Sequence, residues 1–84
     1  MSYSEQQLRE AVDAVFDKFD ADGSNSLDPK EVYNLINAAL SHMNAGRQAT
    51  QEEVQALVDA VDKNGDGKIS KPELLKIFQQ VANQ

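Results

Sequence analysis

Asp62-Lys63-Asn64-Gly65-Asp66-Gly67-Lys68-Ile69-Ser70-Lys71-Pro72-Glu73 sets oxygen-bearing side chains at positions 1, 3 and 5 of a twelve-residue run, a glycine at 6 and a glutamate at 12. The spacing satisfies every specified place of D-x-[DN]-x-[DN]-G-x5-E. A backbone that wraps around a point turns positions 1, 3 and 5 inward. Asp62, Asn64 and Asp66 therefore face one centre. At position 7 the backbone carbonyl of Lys68 can join them while its ammonium stays in water, and Ser70 at position 9 can act through a water. Glu73 supplies two carboxylate oxygens from the start of the next helix, and Gly67 makes the sharp turn. Such a set suits Ca²⁺, which takes six to eight hard oxygen ligands at about 2.3–2.6 Å in irregular geometry.

Forty-two residues upstream the same arrangement recurs as Asp20-Ala21-Asp22-Gly23-Ser24-Asn25-Ser26-Leu27-Asp28-Pro29-Lys30-Glu31. The expected ligands are Asp20, Asp22, Ser24, the carbonyl of Ser26, and Glu31, with Asp28 binding directly or through water. Ser24 stands where the pattern has Asp or Asn, and Asn25 where it has glycine. Asn is the non-glycine residue most tolerant of the left-handed region, so the turn stays feasible at small cost. Turns rich in Asp, Asn and Gly also form without a metal. Two such loops, each closed by a glutamate and flanked by matched helices, favour the metal-binding reading and a total of two ions.

Apolar spacing defines four amphipathic helices. The first carries Leu8, Val12, Val15, Phe16 and Phe19; the second Val32, Leu35, Ile36, Ala39, Leu40 and Met43. The third carries Val54, Leu57, Val58 and Val61, and the fourth Leu74, Leu75, Ile77, Phe78 and Val81. Ser4 with Gln7 and Thr50 with Glu53 read as capping boxes, as do Asp28 with Glu31 and Ser70 with Glu73. Pro29 and Pro72 fall in first turns, where a missing N–H costs little, and Gly46 is the expected stop of the second helix. No alternation of period two runs far enough to predict a substantial sheet.

At this point the chain resembles the EF-hand family, calmodulin-like in type. Both loops match, and Val15-Phe16-Asp17-Lys18-Phe19 leads into Asp20 as such proteins enter their first loop. The resemblance implies an all-α fold of paired EF-hands: four helices and two calcium loops joined by a short antiparallel bridge. Leu27 and Ile69, at position 8 of each loop, are the residues that would pair. One domain over 1–84 is expected, with a first hand at about 4–44 (loop 20–31), a linker at 45–49 and a second hand at about 50–82 (loop 62–73). The offset of 42 residues is a few longer than is usual between paired hands, and the excess falls on the second helix and the linker.

Charge and composition exclude several classes. Fourteen acidic against eight basic residues give a net charge of −6, which disfavours nucleic acid and anionic membrane and suits a cation. There is no cysteine for a disulfide or a thiolate metal site. The sequence lacks a long apolar run, a secretory leader and a glycine at position 2, so the expectation is a soluble cytoplasmic protein without direct membrane insertion. No nucleophile–base arrangement or phosphate-cradling loop supports catalysis. His42 reads as a surface residue near a helix C-terminus, and Lys63, Lys68 and Lys71 as a solvated loop face.

A calcium sensor that opens to bind a target protein or amphipathic helix is the reading preferred from sequence. The fourth helix, with Leu74, Leu75, Ile77, Phe78, Val81 and Ala82, has more apolar coverage than one packing face requires. Leu40, Met43, Leu75, Ile77 and Phe78 would line the target groove, although core packing explains the same residues. Met1 and Met43 are the only methionines, which weighs against a Met-rich groove. The sequence leaves open a buffer with little shape change, a structural part of a calcium-responsive cytoskeletal or contractile assembly, and a second EF-hand pair in a longer parent chain.

Overall fold

A computed structural model describes residues 3–20, 23, 26–62 and 68–82. Its elements run α1 (Glu5–Phe19), β1 (Ser26–Leu27), α2 (Pro29–His42), α3 (Gln51–Val61), β2 (Ile69–Ser70) and α4 (Lys71–Ala82). The fold is all-α apart from the two short strands. These pair antiparallel, with Ser26 opposite Ser70 and Leu27 opposite Ile69, so the position-8 residues meet as the resemblance implies. Their side chains are 2% and 0% exposed. The bridge therefore ties one loop to the other and also seals one end of the core.

Helix ends follow from local chemistry. At the start of α1, Ser4 Oγ accepts from the Gln7 N–H at 3.2 Å and Gln7 Oε1 accepts from the Ser4 N–H at 2.9 Å, a complete capping box. Thr50 caps α3 by accepting from the Glu53 N–H at 3.1 Å. The expected return bond is replaced, because the Glu53 carboxylate pairs with Arg47 at 3.2 Å. Pro29 opens α2, where its lack of an N–H costs nothing, but Asp28 makes no side-chain cap there.

The stop of α2 is Asn44, two residues before Gly46. Asn44 takes φ +55°, its N–H donates to the Ser41 carbonyl at 3.0 Å, and the Ala45 N–H reaches back to the Leu40 carbonyl at 3.0 Å. These two bonds form a Schellman motif, and Asn fills the left-handed position because its short polar side chain tolerates it. Gly46, at φ +75°, then turns the linker.

Buried side chains from all four helices form one core, including Leu8, Val12, Phe16, Val32, Leu35, Ile36, Val58, Leu74 and Phe78. Phe19, Leu57 and Val61 lie partly buried against it. Helix α4 packs on α1, α2 and α3. Its wide apolar face is used by these neighbours: Leu74, Ile77, Phe78, Val81 and Ala82 are buried, and Leu75 is partly so. The first hand contacts the second through α1–α4, α2–α3, α2–α4 and the bridge. No helix among the described residues is long and apolar enough to cross a membrane.

Candidate metal sites

Both loops leave their entering helices by the same backbone route. Asp20 ends α1 at φ −90°, ψ 73° and its N–H donates to the Phe16 carbonyl at 2.9 Å. Asp62 ends α3 at φ −83°, ψ 71° and its N–H donates to the Val58 carbonyl at 2.7 Å. The last helical turn thus gives the first expected ligand of each loop nearly the same backbone conformation. Gly23, the fourth residue of loop 20–31, takes φ +72°, a positive value that the motif pattern does not require there. At the other ends, α2 and α4 begin within the loops and carry Glu31 and Glu73 in their first turns. The negative charge of each glutamate sits by the positive end of its helix dipole.

Of the expected ligands, Asp20, Ser26, Glu31, Asp62 and Glu73 are partly buried and Lys68 is exposed. Among the residues expected to act through water, Ser70 is partly buried and Asp28 exposed. Asp22, Ser24, Asn64 and Asp66 lie outside the described residues, as do the turn residues Asn25 and Gly67. Among the described residues no three carboxylate or imidazole groups converge on one point. The donor chemistry fits a hard divalent cation. The two loops carry seven acidic residues, three serines and one asparagine at the expected side-chain and carbonyl positions together with Lys68, and no sulfur.

The two closing glutamates differ. Glu73 Oε1 accepts from the Ser70 N–H at 3.0 Å and from the Ser70 hydroxyl at 2.9 Å, so this carboxylate is turned onto the start of its own helix. That arrangement is the glutamate half of the expected capping box. In the first hand the corresponding contact is backbone to backbone, the Glu31 N–H donating to the Asp28 carbonyl at 2.9 Å.

The five residues expected to line a groove do not form an open one in this arrangement. Leu40, Ile77 and Phe78 are 0% exposed, while Met43 and Leu75 are partly buried at the edge of the core. His42 is exposed in the last turn of α2. Lys71 departs from the solvated loop face expected of it. Its ammonium pairs with Asp13 on α1 at 2.6 Å and lies 5.2 Å from the Phe16 ring centroid.

Sequence reading missed the role of the linker. The Asn37 side chain on α2 holds Ala49 through two bonds, accepting from its N–H at 2.8 Å and donating to its carbonyl at 3.4 Å. Arg47 Nη1 donates to the Val81 carbonyl at 3.1 Å and Nη2 to Glu53 at 3.2 Å. Their separation from Ala49 and Val81, 12 and 34 residues, leaves no local periodicity to signal either contact.

Two helix–loop–helix units joined loop to loop, each closed by a first-turn glutamate, define a paired calcium-binding fold. Residues 9–79 match the family model described as an EF-hand domain pair, and the chain belongs to the EF-hand family of calcium-binding proteins. It is 38% identical over 77 residues to centrin-1 of Bos taurus, covering 92% of this chain and 41% of that protein. It is 29% identical over 84 residues to the calcium-binding protein SPEC 1A of Strongylocentrotus purpuratus, 94% of this chain and 51% of that one. The chain thus spans about two fifths to one half of the length of these relatives. In fold it is similar to the solution structure, solved without calcium, of the C-terminal domain of Tetrahymena Tcb2. The TM-score is 0.73 at 23% identity, over 100% of this chain and 89% of that one.

Proposed function

We propose that the chain binds two Ca²⁺ ions, one in each loop, and acts as a sensor module whose second hand opens to receive an apolar target helix. Asp20, Asp22, Ser24, the Ser26 carbonyl and Glu31 hold the first ion, with Asp28 direct or through water. Asp62, Asn64, Asp66, the Lys68 carbonyl and Glu73 hold the second, with Ser70 through water. When bound, the ions neutralise clustered carboxylates and take the chain's formal charge from −6 to −2.

The observation that carries the sensor reading is the pairing of Glu73 with Ser70 beneath a helix whose apolar face is shared among three neighbours. Oε1 already accepts two bonds, so a carboxylate that gives both oxygens to a cation gives up at least one of its bonds from Ser70. Glu73 lies in the first turn of α4, so its displacement pulls that helix. Leu75 and Met43 are partly buried against the core and Leu40, Ile77 and Phe78 fully buried in it, so movement of α4 would uncover apolar surface for a partner helix. A buffer would bind the same ions without moving α4.

Isothermal titration should find two sites in the parent and one in each of Glu31→Gln and Glu73→Gln, since each change removes a bidentate carboxylate at constant size. Calcium should also raise the fluorescence of an apolar-surface dye, and Leu75→Asp should abolish that rise with both sites intact. One site in the parent would overturn the two-ion assignment. Two sites with no dye response would replace the sensor with the buffer.

A further inference from the structure

Arg47 stands in the linker, outside both loops, yet it joins the two ends of the second hand that lie farthest from its calcium loop. Its guanidinium forks. Nη1 donates to the Val81 carbonyl in the last turn of α4, and Nη2 pairs with Glu53 in the first turn of α3, at 3.1 and 3.2 Å. The segment that carries it is anchored. Ala49 is 3% exposed and bonded at both its N–H and its carbonyl by the Asn37 side chain of α2. The Arg47 and Glu53 side chains are 34% and 25% exposed, which shields their pairing from part of the solvent screening.

A helix pair that opens about its loop moves most at the far ends. Helix α4 has twelve residues. At about 1.5 Å per residue, a swing of about 40° carries its C-terminal end by about 12 Å. Two hydrogen bonds from one planar guanidinium cannot follow such a separation. We propose that Arg47 is a latch on the second hand: it holds α3 and α4 together at their distal ends, and calcium must break it to open the hand. The proposal rests on the sensor reading above and adds that the linker, through Arg47, sets the calcium concentration at which opening occurs.

The test is a calcium titration of the full chain followed by residue-resolved NMR, with dye fluorescence in parallel. In Arg47→Ala the second-loop midpoint and the dye response should both move to lower calcium by about three- to tenfold. That is the range expected for one partly exposed ion pair and one hydrogen bond. Arg47→Lys keeps the charge but loses the fork, and should shift both in the same direction by less. Glu53→Gln, which retains the N–H that Thr50 caps, should do likewise. Loop 20–31, which Arg47 does not touch, should move least. If Arg47→Ala folds and its second-loop midpoint is unchanged or higher while Glu73→Gln still removes that site, the latch is wrong and the sensor stands. If calcium saturates both sites of the parent without a dye response, the opening itself is wrong and the latch falls with it. Should Arg47→Ala fail to fold, the Lys and Gln variants decide by the same criteria.

Discussion

Loop 20–31 and loop 62–73 are entered through nearly the same backbone angles, at Asp20 and Asp62, yet they differ in charge and in contacts. The first holds four acidic side chains against one lysine, a charge of −3; the second holds three against three, a charge of zero. Glu73 is bonded twice to Ser70, while Glu31 has no such bond among the described residues. The far ends of α3 and α4 are joined through Arg47. Under the two-ion proposal, one motif gives loops with different loading costs: the first set by electrostatic repulsion that an ion relieves, the second by contacts that an ion displaces.

The bridge is where this contrast should vanish. Leu27 and Ile69 are buried opposite one another and belong equally to both hands. Leu27→Ala or Ile69→Ala should cost about 2–5 kcal/mol, the range for truncating a fully buried large aliphatic side chain. In a chain this short that is a large part of the total stability. Urea denaturation should show one transition moving for either variant. Two separate transitions, with only one moving, would mean that the hands fold independently and share no core.

Much of this organisation was legible in the sequence because the motif is local. Loop positions, exit-helix prolines and the Ser4–Gln7 cap follow from spacings within one hand, and the Leu27–Ile69 pairing is what the resemblance to paired EF-hands implies. What escaped depends on contacts between distant segments. The Asn37 bonds to Ala49, the Arg47 fork and the Lys71 bridge to Asp13 have no periodic signature. Gly46 is the obvious breaker in the sequence, but α2 ends at Asn44, which takes the left-handed conformation while the Ala45 N–H closes on the Leu40 carbonyl. The breadth of the α4 apolar face suggested a groove. In this arrangement three neighbouring helices occupy it.

Salt should narrow the contrast. Screening lengths shrink from about 30 Å at 0.01 M to about 3 Å at 1 M, so a site assembled from net charge loses more of its attraction than a neutral one. Calcium affinity at loop 20–31 should fall more steeply with potassium chloride than affinity at loop 62–73. Equal salt slopes in a residue-resolved titration would show that net loop charge does not distinguish the hands.

A smaller effect is expected where the two hands touch at the surface. Lys71 and Asp13 form a 2.6 Å pair with side chains 42% and 50% exposed. Solvent screening limits such a pair to about 0–1 kcal/mol. Asp13→Ala should therefore lower the urea midpoint slightly and leave the slope unchanged. A loss beyond that range would make this contact a principal tie between the first and last helices.

The most direct test of the difference between the hands is the order in which they fill. Heteronuclear NMR during a calcium titration at low salt reads each loop separately, with Glu31→Gln and Glu73→Gln assigning the signals. Three more units of negative charge around a divalent ion should outweigh the small cost of Asn25 in place of glycine. Resonances of loop 20–31 should therefore move first. Those of loop 62–73 should follow at higher calcium, together with the signals of Arg47 and Val81. Prior filling of loop 62–73, with Arg47 and Val81 unmoved, would contradict the account.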